Sequence, residues 1–210
     1  KDVPLKSLWV PELKLYQVKR LSEGAAPSSI NTELSCLSRR FAVMIEMRLL
    51  EVNPCRQTKR LSTKSNEREV YLSMKTVQAI ADECPAWYQR FMWTAFYTGM
   101  RRGELIGLTR KQVNLGTRII SLRPEDTKEG KPKRIPIHRD LVPVLAEAMS
   151  IPYLRSDRVF LVQDYKGIRP PGVDSVDNPW ARACKILGLN PHPRFHDLRH
   201  TWRTNARRSG

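Results

Sequence analysis

Two arginine-bearing stretches stand far apart in this chain. One is Thr98-Gly99-Met100-Arg101-Arg102-Gly103-Glu104-Leu105, and the other is His196-Asp197-Leu198-Arg199-His200. Between them runs Thr127-Lys128-Glu129-Gly130-Lys131-Pro132-Lys133-Arg134. A guanidinium is a planar fork of donors with a permanent charge, and it matches the non-bridging oxygens of a phosphate. Two arginines, a lysine and a histidine brought to one point would make a receptor for a phosphodiester. Each candidate also has a plainer reading. Arg101 and Glu104, three residues apart, suit a surface ion pair that contributes little. His196, Arg199 and His200 share one face of a helix, as they would on any basic surface helix. Lys128, near a hairpin tip, could reach into a groove and donate a proton, or it could only keep a strand edge soluble.

Composition narrows the partner. The 210 residues carry a formal net charge of +16, which points to a polyanion, nucleic acid above all. The charge is spread: residues 1–68 hold thirteen Lys and Arg against seven Asp and Glu. A hydrophobic fraction of 40% provides a core and argues against wholesale disorder. Cys36, Cys55, Cys84 and Cys184 form no CxxC pair and have no histidine cluster beside them, so neither a zinc site nor a disulfide framework is expected. A reducing compartment fits these cysteines. No apolar run approaches the ~20 residues that span a bilayer, and no signal-peptide pattern is present. The chain opens on Lys1 and stops at Ser209-Gly210, which reads as a fragment trimmed at both ends.

The elements that must position these residues divide into two parts. Residues 1–55 read as helical, with Ser29–Leu50 carrying apolar residues near the helical period, a helix start near Asn31-Thr32-Glu33 and an end at Asn53-Pro54. Residues 56–69 are poor in apolar side chains and read as a linker, placing a domain boundary near 68. Beyond it the pattern is mixed. Ser73 caps a helix over 76–82, and Trp87–Thr98 forms a helix closed by Gly99. Strands over 118–122 and 134–137 flank a turn at Glu129-Gly130. Helices are expected over 139–149, 177–187 and 196–208, with a short strand at 159–162. The fold class is α+β, mostly helical, with a small antiparallel sheet.

The first box resembles the TGxRxxEL box of the tyrosine recombinases, the phage integrase family. His196-Asp197-Leu198-Arg199-His200-Thr201 resembles their HxLRH box, and the Lys-bearing hairpin ending in Arg134-Ile135-Pro136-Ile137 falls between the two as it does in that family. The resemblance implies a catalytic domain over 69–210, lacking its C-terminal segment. Before it would lie part of an all-helical core-binding domain, with its linker, over 1–68. It implies site-specific DNA recombination and integration through a 3′-phosphotyrosyl intermediate. Arg101, Lys128, His196 and Arg199 would be catalytic, with Glu104 and His200 supporting. No cofactor and no metal are implied. The implied partners are double-stranded DNA and, in the intact protein, three further copies in a tetramer on DNA. The implied location is the cytoplasm of a bacterial host. One departure stands out. The family's nucleophilic tyrosine follows the second box by some tens of residues, whereas Tyr16, Tyr71, Tyr88, Tyr97, Tyr153 and Tyr165 all precede it. Trp202 is too close to the box to stand for the family's further His or Trp. The nucleophile is expected outside this chain, which should then bind DNA without cleaving it. Rival readings are a non-catalytic DNA-binding or regulatory protein on the same fold, a type IB topoisomerase, and a metal-dependent nuclease.

Overall fold

The computed structural model describes residues 7–63, 70–153 and 155–208. The chain divides into two compact units, Lys1–Arg68 and Glu69–Gly210. Both are mostly helical, and the second also holds small antiparallel sheets.

The first unit is built on α1 (Val10–Ser22), α2 (Pro27–Glu46) and the short α3 (Pro54–Gln57). Helix α2 begins at Pro27, four residues before the expected start at Asn31. Proline needs no intrahelical partner in the first turn and presets the helical φ there. It ends at Glu46, ahead of the expected end at Asn53-Pro54, and Arg48 turns into the left-handed region at φ 58°. Asn53-Pro54 therefore opens a helix instead of closing one: the Asn53 side chain accepts a bond from the Cys55 N–H at 3.1 Å. Leu13, Leu34, Phe41 and Cys55 form the core of this unit. The segment expected to be a loose linker is partly fastened. Gln17 donates to the Lys59 carbonyl at 3.0 Å, and the Asn31 amide exchanges two hydrogen bonds with the Leu61 backbone. The remainder of that segment, 64–69, lies outside the described residues.

The second unit is organised by α5 (Ala86–Thr98). Its Trp87, Tyr88, Phe91, Met92, Ala95 and Phe96 are all buried, so this helix is apolar around most of its girth and runs through the core. Around it lie α4 (Met74–Asp82), capped by Ser73 as its sequence predicts, α7 (Leu141–Ser150) and α9 (Asp197–Arg208). Phe91 packs against Phe160 and Phe195, ring centroids 5.2 and 5.4 Å away.

The three-stranded sheet runs in the order β1 (Val113–Asn114), β2 (Ile119–Leu122), β3 (Lys133–Pro136), all antiparallel. Strand β2 starts one residue later than expected because Arg118 adopts φ 51°, a turn conformation. Leu122 pairs with Lys133 as the last pair before the loop that joins β2 to β3. A second hairpin joins β4 (Val162–Asp164) to β5 (Gly167–Arg169). The strand expected over 159–162 lies further along, since the Val159 N–H is taken by the carbonyl of Leu108, far earlier in the chain. Helix α8 (Val173–Ile186) starts four residues before the expected 177 and carries Pro179 inside it.

The start of this unit is sewn to its last helix. The Leu72 N–H donates to Thr201 Oγ1 at 2.9 Å, with Leu72 and Thr201 both buried. Tyr71 donates to Asn205 at 3.1 Å, and its ring lies under the Arg208 guanidinium.

Candidate functional site

The site begins where α5 stops. Gly99 ends the helix in the left-handed conformation, φ 61°, where a side chain would be strained. It has a second reason to be glycine, since a Cβ there would overlap the indole of Trp202 on α9. Buried Met100 then anchors the turn, and Arg101 stands at the N-cap of α6 (Arg102–Gly107).

Glu104, three residues on, is buried and makes this turn rigid. Its carboxylate accepts the Arg101 backbone N–H at 2.9 Å and the Arg101 guanidinium at 3.2 Å. From β3, the Lys133 ammonium reaches the same carboxylate at 2.6 Å. Burial alone would raise the Glu104 pKa, but Lys133 and then the Arg101 backbone and side chain outweigh it and hold the group below the usual range.

The second box meets the first through the end of α5. Arg199 donates from Nη1 to the Gly99 carbonyl, two residues before Arg101. Burial, followed by the nearby positive charge of Arg101, disfavours the Arg199 cation. His196 precedes the first turn of α9, and its ring meets that of His200 edge-on, centroids 5.1 Å apart. Burial lowers the His196 pKa, helped by His200, Arg199 and Arg101, so its imidazole is neutral at pH 7. Arg101, His196 and Arg199 are thus near enough to act on one another's charge, with Glu104 tied to Arg101 and His200 against the His196 ring.

Lys128 is not among the groups gathered there. It is exposed at the hairpin tip, and among the described residues it makes no contact with the arginines. Lys133 stands there instead, beside Glu129, whose carboxylate takes both Arg101 Nη1, at 2.7 Å, and Arg101 Nη2. Sequence reasoning passed over both residues. For Lys133 a signal existed in the period of two, because it shares a strand face with the half-buried Ile135 and so points inward.

The described tyrosines are engaged elsewhere or stand apart. Tyr88 is buried in the core, Tyr97 stacks on His138 with centroids 5.0 Å apart, Tyr16 donates to Glu33 in the first unit, and Tyr165 is exposed. Among the described residues there is no group of three His, Cys, Asp or Glu that could hold a metal ion, and no helix is long and apolar enough to cross a membrane.

A rigid pair of guanidiniums with a neutral imidazole beside them can bind a tetrahedral oxyanion and stabilise charge that grows on it. The model of the phage integrase family matches residues 71–210. The integrase of Escherichia phage P2 is 29% identical over 133 residues, which cover 63% of this chain and 38% of that one. Among solved structures, the Tn1549 transposon integrase in complex with a circular intermediate DNA is similar, with a TM-score of 0.76 at 17% identity over 100% of this chain and 76% of that one. A lambda integrase tetramer bound to a Holliday junction gives a TM-score of 0.73 at 23% identity, over 96% of this chain and 60% of that one. These identities speak for the fold. The chain spans half or less of the length of several curated relatives that it matches.

Proposed function

Because the chain belongs to the phage integrase family by its match over residues 71–210, we propose that it is the phosphate-binding part of a site-specific tyrosine recombinase acting on double-stranded DNA. The observation that carries this reading is the bond from Arg199 to the Gly99 carbonyl, which sets the second arginine two residues from the first.

In the whole protein, a tyrosine hydroxyl outside these 210 residues would attack a DNA phosphorus. The new bond joins the tyrosine oxygen to the 3′-phosphate, and the 5′-oxygen departs as a hydroxyl. The phosphoester bond is exchanged and not lost, so rejoining to another 5′-hydroxyl needs no nucleotide cofactor. Arg101 and Arg199 bind the non-bridging oxygens, and donors placed in this way are worth about 3–4 kcal/mol each in the transition state. Neutral His196 is suited to accept the tyrosine proton. Lys128 is our candidate for protonating the departing oxygen, which requires the hairpin tip to turn into the groove on binding. Glu104 holds Arg101 in place, and His200 supports His196.

The two units fit the roles of a core-binding part over 1–68 and a catalytic part over 69–210. The net charge of +16 supports a DNA partner. A tetramer is the assembly in the lambda integrase complex, and we place the same assembly, in the cytoplasm of a bacterial host, on this protein.

The test uses the whole protein with a nicked DNA site that traps the covalent adduct. The unaltered protein should form a protein–DNA adduct, and Arg101→Ala or Arg199→Ala should remove it while most DNA binding survives. Undiminished adduct in both variants would overturn the reading. Relaxation of supercoils on any sequence would favour the topoisomerase alternative.

A further inference from the structure

The seat on Arg101 is already filled by the protein itself. Glu129 presents both carboxylate oxygens to the two terminal nitrogens of Arg101, and one of them also lies 3.0 Å from the Lys133 ammonium. A forked guanidinium and an ammonium around two oxygens make the donor set that two non-bridging phosphate oxygens need. We propose that Glu129 is a resident stand-in for the DNA phosphate, displaced when DNA binds, and that Lys133 is a further phosphate ligand beside Arg101. This rests on the recombinase reading for the identity of the phosphate, but not for the existence of the seat.

Three observations separate the seat from its occupant. Lys133 is held from below by Glu104, which is buried and also tied to Arg101, so the two cations keep their spacing when Glu129 leaves. Glu129, by contrast, sits on an exposed tip. The tip is closed on itself by Thr127, whose hydroxyl bridges the Lys131 N–H and carbonyl, and Gly130 next to Glu129 has φ 63°. The occupant can therefore swing without unfolding β2 or β3. Lys128 is its immediate neighbour, so the motion that takes the carboxylate out also moves the lysine. Nor is protonation the release: Lys133 and then Arg101 hold the Glu129 carboxyl down at about 2, so it stays charged at any physiological pH. A competing anion can remove it by taking its donors.

The experiment compares the 210-residue chain with Glu129→Gln, Glu125→Gln, Lys133→Met and the double variant Glu129→Gln/Lys133→Met. Glu125 lies in the same loop but pairs with Arg123, so it controls for the loss of one negative charge. Binding to a mixed-sequence DNA duplex is measured across a salt series. Glu129→Gln should tighten binding about tenfold and steepen the slope of log K against log salt by about 0.9, the signature of one more phosphate contact. Glu125→Gln should do much less, and most of the gain should vanish when Lys133 is also replaced. Equal gains for the two glutamates would overturn the stand-in, and an undiminished gain in the double variant would overturn Lys133. Inorganic phosphate, read by thermal shift, tests the seat without DNA. It should stabilise Glu129→Gln more than the unaltered chain, and equal shifts would overturn the proposal. Failure of every variant to bind DNA, with the phosphate response intact, would instead count against the recombinase reading.

Discussion

Arg199 donates a hydrogen bond to the main-chain carbonyl of Gly99. Residues a hundred positions apart are thereby joined at the end of α5, where the last carbonyls of a helix favour a cation. The bond restrains the guanidinium before any ligand arrives, leaving its remaining N–H groups for an oxyanion.

Arg199→Lys should therefore be a poor substitute although it keeps the charge. An ammonium cannot hold the Gly99 carbonyl and offer a planar fork at once. In the whole protein the rate of adduct formation should fall by about a hundredfold or more, while the urea midpoint of the chain moves little. A rate near that of the unaltered protein would show that only the charge matters.

Gly99→Ala should destabilise the second unit by about 1–3 kcal/mol through its positive φ, with more lost to overlap with Trp202. Chemical denaturation measures the total. Adding Trp202→Ala should recover the overlap and leave the backbone cost, so Gly99→Ala should cost less in that background than alone. Equal costs in both backgrounds would remove the indole from the account.

Glu104→Gln should lower stability by about 1–3 kcal/mol, because Lys133 and Arg101 lose the charge of their buried partner. The pH dependence has a definite sign. The Glu104 pKa is depressed in the folded state, so its contribution is complete above the ordinary value of 4.5 and disappears as pH falls through the lower folded value. Denaturation series at successive pH values should show the gap between Glu104→Gln and the parent narrowing below pH 4.5. A constant gap would contradict the ion pair.

His196 should titrate below its ordinary 6.5, as followed by the NMR shifts of its ring protons. Burial is the first cause, then His200 and Arg199, so His200→Ala and Arg199→Ala should each raise the midpoint. Its depressed value contributes stability that is present above 6.5 and fades as pH drops through the folded value. A midpoint at or above 6.5 would place His196 in open solvent.

The candidate arginines were legible because both boxes are local patterns, short enough for sequence to hold entire. The second arginine needs only α9 and the first only the Gly99 turn. What sequence concealed was tertiary. Lys128 and Lys133 are both lysines of one hairpin; the period of two hinted that Lys133 points inward, but its reach to Glu104 depends on the fold that brings β3 beside the Gly99 turn. Glu129 drew no notice because nothing local distinguishes a turn glutamate that reaches Arg101 from one that reaches water. Helix ends were misjudged where proline has two meanings. Pro27 and Pro54 open helices, and Pro179 sits inside one. The choice among these depends on what the preceding residues pack against, which composition does not record.

The stitch between Leu72 and Thr201 has a consequence for how this half of the protein is made. A ribosome releases the arm at 70–72 long before α9, yet the Leu72 N–H has no Thr201 acceptor until α9 docks. That bond can therefore form only late, like a drawstring pulled at both ends. A protease cut near Tyr71 should then loosen α9, the helix that carries Arg199, without removing any side chain of the candidate site.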